Sequence, residues 1–393
     1  VSHGMVGNQE GIGNYTTLGT TVDYRMEFGD NYFMGYLPGN SLPNPKLKWE
    51  TTASTNFGLD FGFFHHRLNG TIEYYNTQTT NLLVSRSING VLGYTSMLDN
   101  LGETRTTGLD LSLNGDIIRN KNLTWSLGTN FSTFNNEIIK IDDKVDEEGN
   151  PVDDVSNNWF IGEPINVYYT YKPDGIYQYS DFDLVEGKYV LKPTFDSDGD
   201  GIADKAIERN DNIEPGKVKI IDKNNDGKID ADDRYVIHRD PKFVASVFTS
   251  LEFRGFDFFM DWYTVYGRKI QNAHLYDANR GGSLQGKLNG VKVNYWTPDN
   301  PSNEWPRPTH NSNVTYQSSL SLQDASYIRL RSMTLGYTVP AKVTRQAKIE
   351  NIRLYLTATN LLTFTDFLSY SPEFTPAGYP EPKQYTLGIN FTF

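Results

Sequence analysis

The stretch Tyr385-Thr386-Leu387-Gly388-Ile389-Asn390-Phe391-Thr392-Phe393 decides how this chain is read. Tyr385, Leu387, Ile389, Phe391 and Phe393 are apolar or aromatic, and Thr386, Gly388, Asn390 and Thr392 between them are small or polar. Successive side chains of an extended strand point to opposite faces, so a period of two gives this stretch one greasy face and one hydrophilic face. The pattern recurs upstream. Phe57, Leu59, Phe61 and Phe63 alternate with Asn56, Gly58, Asp60 and Gly62. Leu109, Leu111 and Leu113 alternate with Gly108, Asp110, Ser112 and Asn114, and Leu123, Trp125 and Leu127 with Thr124, Ser126 and Gly128. In a soluble sandwich the apolar faces would press against a second sheet. In a membrane barrel they would face lipid and leave the small polar face to an enclosed lumen. Alternation alone leaves both open.

Connection lengths separate the two. Tight turns are expected at His65-His66, from Arg119 to Asn122 and at Arg254-Gly255, with a modest one from Val339 to Asn351. Long polar excursions cover 9–46, 81–102, 136–241, 268–324 and 366–384. Short and long connections alternate along the chain. Outer-membrane barrels segregate loops in this way, with short periplasmic turns and long external loops, whereas a sandwich has no reason to. The spans imply about ten strands of membrane-crossing length. Leu330, Met333 and Leu335 break the alternation, which predicts a bulge there.

Composition agrees. The chain is 37% hydrophobic and 13% aromatic, with 25 Tyr, 22 Phe and 34 Gly among its 393 residues. That is low in apolar residues for a packed domain and suits strands with one polar face. No run of about 18 apolar residues occurs, which excludes a membrane helix but not a barrel strand. The 36 basic residues against 48 acidic ones give a net charge of −12, so nucleic acid is not an expected partner. The absence of cysteine excludes disulfides and thiolate sites. The chain opens at Val1-Ser2-His3-Gly4, without Met or a signal segment, and reads as a piece lacking an N-terminal portion. Three regions are expected: barrel strands with external loops over 1–135, an extracellular subdomain over 136–241, and C-terminal barrel strands over 242–393 ending at Phe393.

The sharpest chemical motif lies in the middle region. Asp222, Asn224, Asp226, Lys228, Asp230 and Asp233 fall at the spacing of a calcium-binding EF-hand loop, with Gly227 at the sharp turn. Hard cations need oxygen ligands at such spacing. Lys228 would offer its carbonyl, and Asp233 stands where a longer Glu is usual. The bland reading is a solvated Asp/Asn turn. A second stretch, Asp196, Asp198, Asp200 and Asp204, is similar to the aspartate repeats of thrombospondin-type calcium modules, or is only a flexible acidic loop. The role expected of calcium is structural. The six His residues lack zinc spacing, and no Gly-x-Ser-x-Gly or phosphate-binding glycine loop occurs, so no enzyme is expected. Trp49, Trp159, Trp296 and Trp305 fall in or beside the long excursions, where loop or girdle packing is favoured over ligand contact.

Several ordered segments carry a family resemblance. They begin with Gly4-Met5-Val6-Gly7-Asn8-Gln9 and Asn44-Pro45-Lys46-Leu47-Lys48-Trp49-Glu50. They continue with Gly162-Glu163-Pro164-Ile165, Tyr171-Lys172-Pro173-Asp174-Gly175-Ile176-Tyr177 and Asp226-Gly227-Lys228-Ile229-Asp230. Asn294-Tyr295-Trp296-Thr297-Pro298, Tyr327-Ile328-Arg329-Leu330-Arg331, Ala358-Thr359-Asn360-Leu361-Leu362 and the terminal strand complete the series. Together they resemble the SusC/RagA family of TonB-dependent outer-membrane transporters. The resemblance implies an all-β fold: an antiparallel transmembrane β-barrel wall, part of a 22-stranded barrel around a plug. It implies a multi-pass protein of the bacterial outer membrane, energised by a TonB complex and covered by a SusD-like lipoprotein. Oligosaccharides or peptides are the implied substrates. The plug and TonB-contacting segment are missing here, and about ten strands cannot close such a barrel. The remaining barrel and plug must come from elsewhere in the protein or from a partner. The competing reading is a non-transporting, calcium-stabilised extracellular β-protein, an adhesin or binding module. The direction in which the aromatic faces point separates the two.

Overall fold

The computed structural model describes residues 1–13, 16–29, 31–39, 41–89, 91, 93–196, 202–272, 275, 294–308, 316–344, 348–373 and 379–393. The chain divides into two compact units, Val1–Asp116 with Gly128–Val167, and Ile117–Leu127 with Tyr168–Phe393. Among the described residues, helix is confined to short turns such as Gln317–Leu320 and Ala341–Thr344. None is long and apolar enough to cross a membrane.

In the first unit β1 (Ser2–Asn8), β2 (Glu50–Phe63), β3 (Leu68–Ser87) and β4 (Ser96–Arg119) lie side by side, each antiparallel to the next. β5 (Leu123–Lys140) follows, and its residues from Gly128 onward belong to this unit. Registers align the sequence alternation across strands. Leu59, Ile72 and Leu111 stand opposite one another, as do Phe57, Tyr74 and Leu109. One residue further on, Asp60, Thr71 and Ser112 form a polar row on the other face. Glycines make room for large neighbours: a Cβ at Gly108 would strike the Tyr75 ring.

The connection expected over 81–102 is mostly strand. Register shifts at Thr79/Leu82 and Leu82/Leu83 let pairing continue to Ser87↔Ser96. Asn81 takes a left-handed backbone, φ 58°, and its carbonyl accepts from Asn100 Nδ2 at 2.8 Å. Such a bulge breaks the period of two and so hides the strand from the sequence pattern. The excursion before β2 holds a hairpin, Thr21–Phe28 with Asn31–Pro38.

In the second unit β6 (Phe243–Phe253), β7 (Phe256–Tyr266), β8 (Tyr327–Thr338), β9 (Asn351–Thr365) and β10 (Gln384–Thr392) pair antiparallel in sequence order. The β6–β7 turn is Arg254-Gly255, with both residues at positive φ, the conformation that matches the twist of a two-residue hairpin. The expected bulge is present. Asp261 pairs with Ser332 and Trp262 with Leu330, which leaves Arg331 as the extra residue.

The long segment between β5 and β6 has its own small core of Ile176, Val218, Ile220 and Ile229, completed by Trp296 from the β7–β8 connection. Pro173–Ile176 pairs antiparallel with Val218–Ile220, and Glu208–Arg209 runs parallel to Lys228–Ile229. Arg209 is bound into this core. Its guanidinium grips Asp211 at 2.8 Å and the Val218 carbonyl at 2.6 Å, and sits over the Tyr316 ring. Trp305 is buried with Trp296, whereas Trp49 is exposed.

Candidate functional site on the two strand faces and the outer loops

The apolar residues of the alternating strands point away from the protein interior. Phe57, Leu127 and Ile389 keep 51%, 41% and 53% of their surface exposed, where a water-soluble core would bury them. In the second unit the same face aligns Leu251, Phe258, Leu335, Leu356 and Leu387 across β6 to β10. From Phe256 to the level of Ile328 and Phe364 this surface runs eight residues along β7. That is about 26 Å, the scale of the apolar band of an outer-membrane barrel. In the first unit the outward face turns polar beyond Tyr74, with Asn76 and Gln78 on β3 and Thr107, Arg105 and Glu103 on β4. Arg105 Nε donates to Glu137 at 2.5 Å in this polar rim. An outward apolar band in one unit, and an outward face that turns from apolar to polar in the other, are each what a bilayer requires of a wall.

The opposite face is polar and carries paired charges. In the first unit hydroxyls link β2 to β3, Thr52 to Thr79 and Ser54 to Thr77, each at 3.0 Å. In the second unit Arg353 grips Asp257, with Nε–Oδ1 at 2.9 Å and Nη2–Oδ2 at 2.5 Å. Four residues along β7, about 13 Å, Asp261 accepts from Arg331 Nε at 2.7 Å and Nη2 at 2.6 Å. The bulge is what aims Arg331 to this side. Asp261 is only 6% exposed, and its Oδ1 has no partner among the described residues. Near the start of β8 Arg329, also buried, lies 3.1 Å from Glu373 and 3.4 Å from Glu381. Glycine again admits bulk on this face, with Tyr355 crowding the backbone of Gly388. A face of hydroxyls, carboxylates and guanidinium groups binds polar, hydrogen-bonding solutes and water. The pairs escaped the sequence reading because their members lie up to 96 residues apart. The available signal was charge at polar-face positions.

The aspartate loop at 222–233 is folded tightly on itself. Asp222 Oδ2 accepts from Gly227 N at 2.9 Å, and its Oδ1 is enclosed without a partner among the described residues. Asn224 Oδ1 accepts from Asp226 N at 3.2 Å, and Asp226 Oδ1 from Lys228 N at 2.9 Å. Asp230 Oδ1 accepts from Asp232 N at 2.9 Å and caps the short turn Ala231–Asp233. Fully buried Asp233 joins the two ends of the loop: Oδ1 accepts from Lys223 N at 2.7 Å and Oδ2 from Asp230 N at 2.8 Å. Gly227 takes φ +81°, the turn that its position demands. A Cβ there would meet the Phe195 ring, so the segment carrying Asp196 lies against this loop. The backbone of Asp204 donates to Phe195 at 3.0 Å. Asp198 and Asp200 fall outside the described residues. Among the described residues, no three acidic or histidine side chains converge as a metal cluster.

Comparison with known proteins gives these faces a context. A family profile described as TonB dependent receptor-like, beta-barrel matches residues 12–361. TonB-dependent receptor P3 of Formosa agariphila is 29% identical across all of this chain and 39% of its own length. TonB-dependent receptor SusC of Bacteroides thetaiotaomicron is 26% identical over 93% of this chain and 34% of its own. Among solved structures, the RagAB peptide transporter superposes with a TM-score of 0.71 at 27% identity, covering 100% of this chain and 40% of that one. The RagAB peptide importer in the "closed-closed" state gives 0.73, with the same identity and coverage. The chain therefore spans about two fifths of the length of these relatives. With its apolar face outward and its charge pairs inward, the chain belongs to the TonB-dependent receptor β-barrel family and is a transmembrane wall segment, of SusC/RagA type, in the bacterial outer membrane.

Proposed function

We propose that the chain supplies wall and outer loops to an importer that draws oligosaccharides or peptides across the outer membrane. Its energy would come from a TonB complex, and a SusD-like surface lipoprotein would cover its mouth. The observation that supports this reading most is the superposition of the whole of this chain on two fifths of the RagAB peptide transporter. The polar face supports it, since paired Arg and acidic side chains provide exchangeable hydrogen bonds for a solute rich in amides or hydroxyls. The rest of the barrel and the plug would come from the parts of the relatives that this chain does not span. The test is uptake of labelled peptide and glycan mixtures by a strain with the whole gene deleted and then restored. Loss of one class on deletion, with recovery on restoration, supports import. Unchanged uptake of both classes, with no lipoprotein co-purifying, sinks it.

Within this function the Asp222 loop serves as a structural calcium site. Asp222, Asn224 and Asp226 would contribute side-chain oxygens and Lys228 its carbonyl, and Asp230 would act directly or through water. The unpartnered, enclosed Asp222 Oδ1 supports the assignment, because such an oxygen costs free energy until it meets a cation or donor. Asp233 is already committed to two backbone N–H groups and would hold the loop rather than close on the ion. The Asp196 to Asp204 stretch would be a second, weaker site. Calcium chelation should then increase hydrogen exchange around 222–233, and Asp222→Asn should abolish that response. Equal protection with and without chelator would remove calcium from the account.

A further inference from the structure

The polar face near the start of β8 carries a cluster that the import reading does not use. Glu373 and Glu381 come from the β9–β10 connection, and both meet one guanidinium nitrogen, Arg329 Nη1, at 3.1 and 3.4 Å. Arg329 is 95% buried and is fixed further by a 3.0 Å bond from its Nε to Thr363 Oγ1 on β9. Tyr327, two residues before Arg329 on β8, donates its hydroxyl to Glu373. Arg268, from the β7–β8 connection, donates to the Glu373 carbonyl at 3.1 Å. Ser371 Oγ accepts from Glu373 N at 3.1 Å. The groups facing the two carboxyls are therefore Arg329 and Tyr327 from β8, Tyr263 from β7 with its ring 6.1 Å from that of Tyr327, and Arg268 from the β7–β8 connection. Among the described residues Arg329 alone pairs with the two side-chain carboxyls, which are partly buried, whereas Arg268 meets only the Glu373 carbonyl. Full ionisation of both would leave a surplus negative charge with little water to solvate it.

We propose that Glu373 and Glu381 share a single proton above Arg329, forming a clasp that ties the β9–β10 connection to β8 and opens when that proton leaves. Both carboxyls lie against the same Arg329 nitrogen, so one proton can serve the pair and relieve the repulsion between them. Burial, and then the bond to Glu381, push the Glu373 carboxyl above the usual carboxylate range. Burial also acts to raise Glu381, but hydrogen bonds from Glu373 and Ser371 and the Arg329 charge outweigh it and hold Glu381 low. The sign follows from linkage. The closed form binds the Glu373 proton more tightly than an open form does. Closure is therefore favoured below the ordinary Glu range and is lost as pH rises through the raised Glu373 value. At still lower pH Glu381 is protonated in turn, and its ion pair with Arg329 is lost. The clasp is tightest in mild acid, with Glu373 protonated and Glu381 ionised.

The test uses the full-length protein in detergent and two readouts. Difference infrared spectra between the protein and Glu373→Gln should show a protonated-carboxyl band that persists above the ordinary Glu range. Amide exchange over 369–373 and 381–383, corrected for the intrinsic effect of pH, should show protection in mild acid and its loss as pH rises. Glu373→Gln, permanently neutral, should keep that protection as pH rises above the ordinary Glu range. Glu381→Gln removes the ionised member and should shift the infrared transition down toward ordinary Glu; it serves as the second variant if the first does not assemble. Protection that ignores pH in the unmodified protein, pH dependence that survives Glu373→Gln, or absence of the band would each overturn the clasp.

Discussion

Arg329 shows how much of this wall depends on single residues. Its guanidinium is buried, and its partners are two glutamate carboxyl groups and the Thr363 hydroxyl. Arg329→Met would leave two acids without their cation. Removing one partner of a buried pair costs about 3–5 kcal/mol, so the denaturant midpoint of the assembled protein should fall markedly. Arg353→Ala, at a pair still about a third exposed, should cost less, about 1–3 kcal/mol. Equal effects would mean that burial does not set the strength of these pairs. Gly108 makes the complementary case. Its Cα lies under the Tyr75 ring, so Gly108→Val should destabilise by about 1–3 kcal/mol through overpacking, and Tyr75→Ser in the same chain should restore part of the loss. These partnerships were not legible in the sequence. Tyr75 and Gly108 are aligned by strand register, and Arg353 and Asp257 by two successive pairings, neither of which a local pattern contains.

At the scale of elements, periodicity was a good guide wherever strands are regular and failed where they bulge. The alternation around Phe57, Leu111 and Ile389 gives strands in register with matching faces. The broken alternation at Leu330 to Leu335 locates the Arg331 bulge. The same kind of irregularity at Asn81 disguised an extended strand pair as a loop, because the sequence there changes phase without showing where pairing resumes. The bulge carries a test. Single substitutions Ser332→Cys and Thr334→Cys should react with an aqueous maleimide, and Met333→Cys and Leu335→Cys with a lipid-dissolved reagent. Across Arg331 the parity should invert, so that Ile328→Cys, at an exposed position, follows the lipid set and Arg329→Cys does not. Unbroken parity from 328 to 335 would place the bulge elsewhere.

At the scale of the whole molecule, the outward apolar face follows from placing water on one side of the sheet and lipid on the other, whereas the expected alternation of long and short connections is weakened, since Ser87 to Ser96 is shorter than Thr338 to Asn351. Net charge and the lack of cysteine bounded the function without locating it. The small core around Ile176 was only partly legible, since Trp296 reaches it from a connection some 120 residues further on. The chelation response of the Asp222 loop belongs to this scale, because a bound ion would stiffen the segment that Ile229 anchors to that core. The central claim, that alternate residues look into lipid and into an enclosed aqueous space, is tested most directly along β10 in the full-length protein in native outer membranes. Leu387→Cys and Ile389→Cys should be quenched or labelled from the bilayer and resist aqueous reagents, and Thr386→Cys and Asn390→Cys should do the reverse. Four positions that all react from water, or all resist both reagents, would contradict the account.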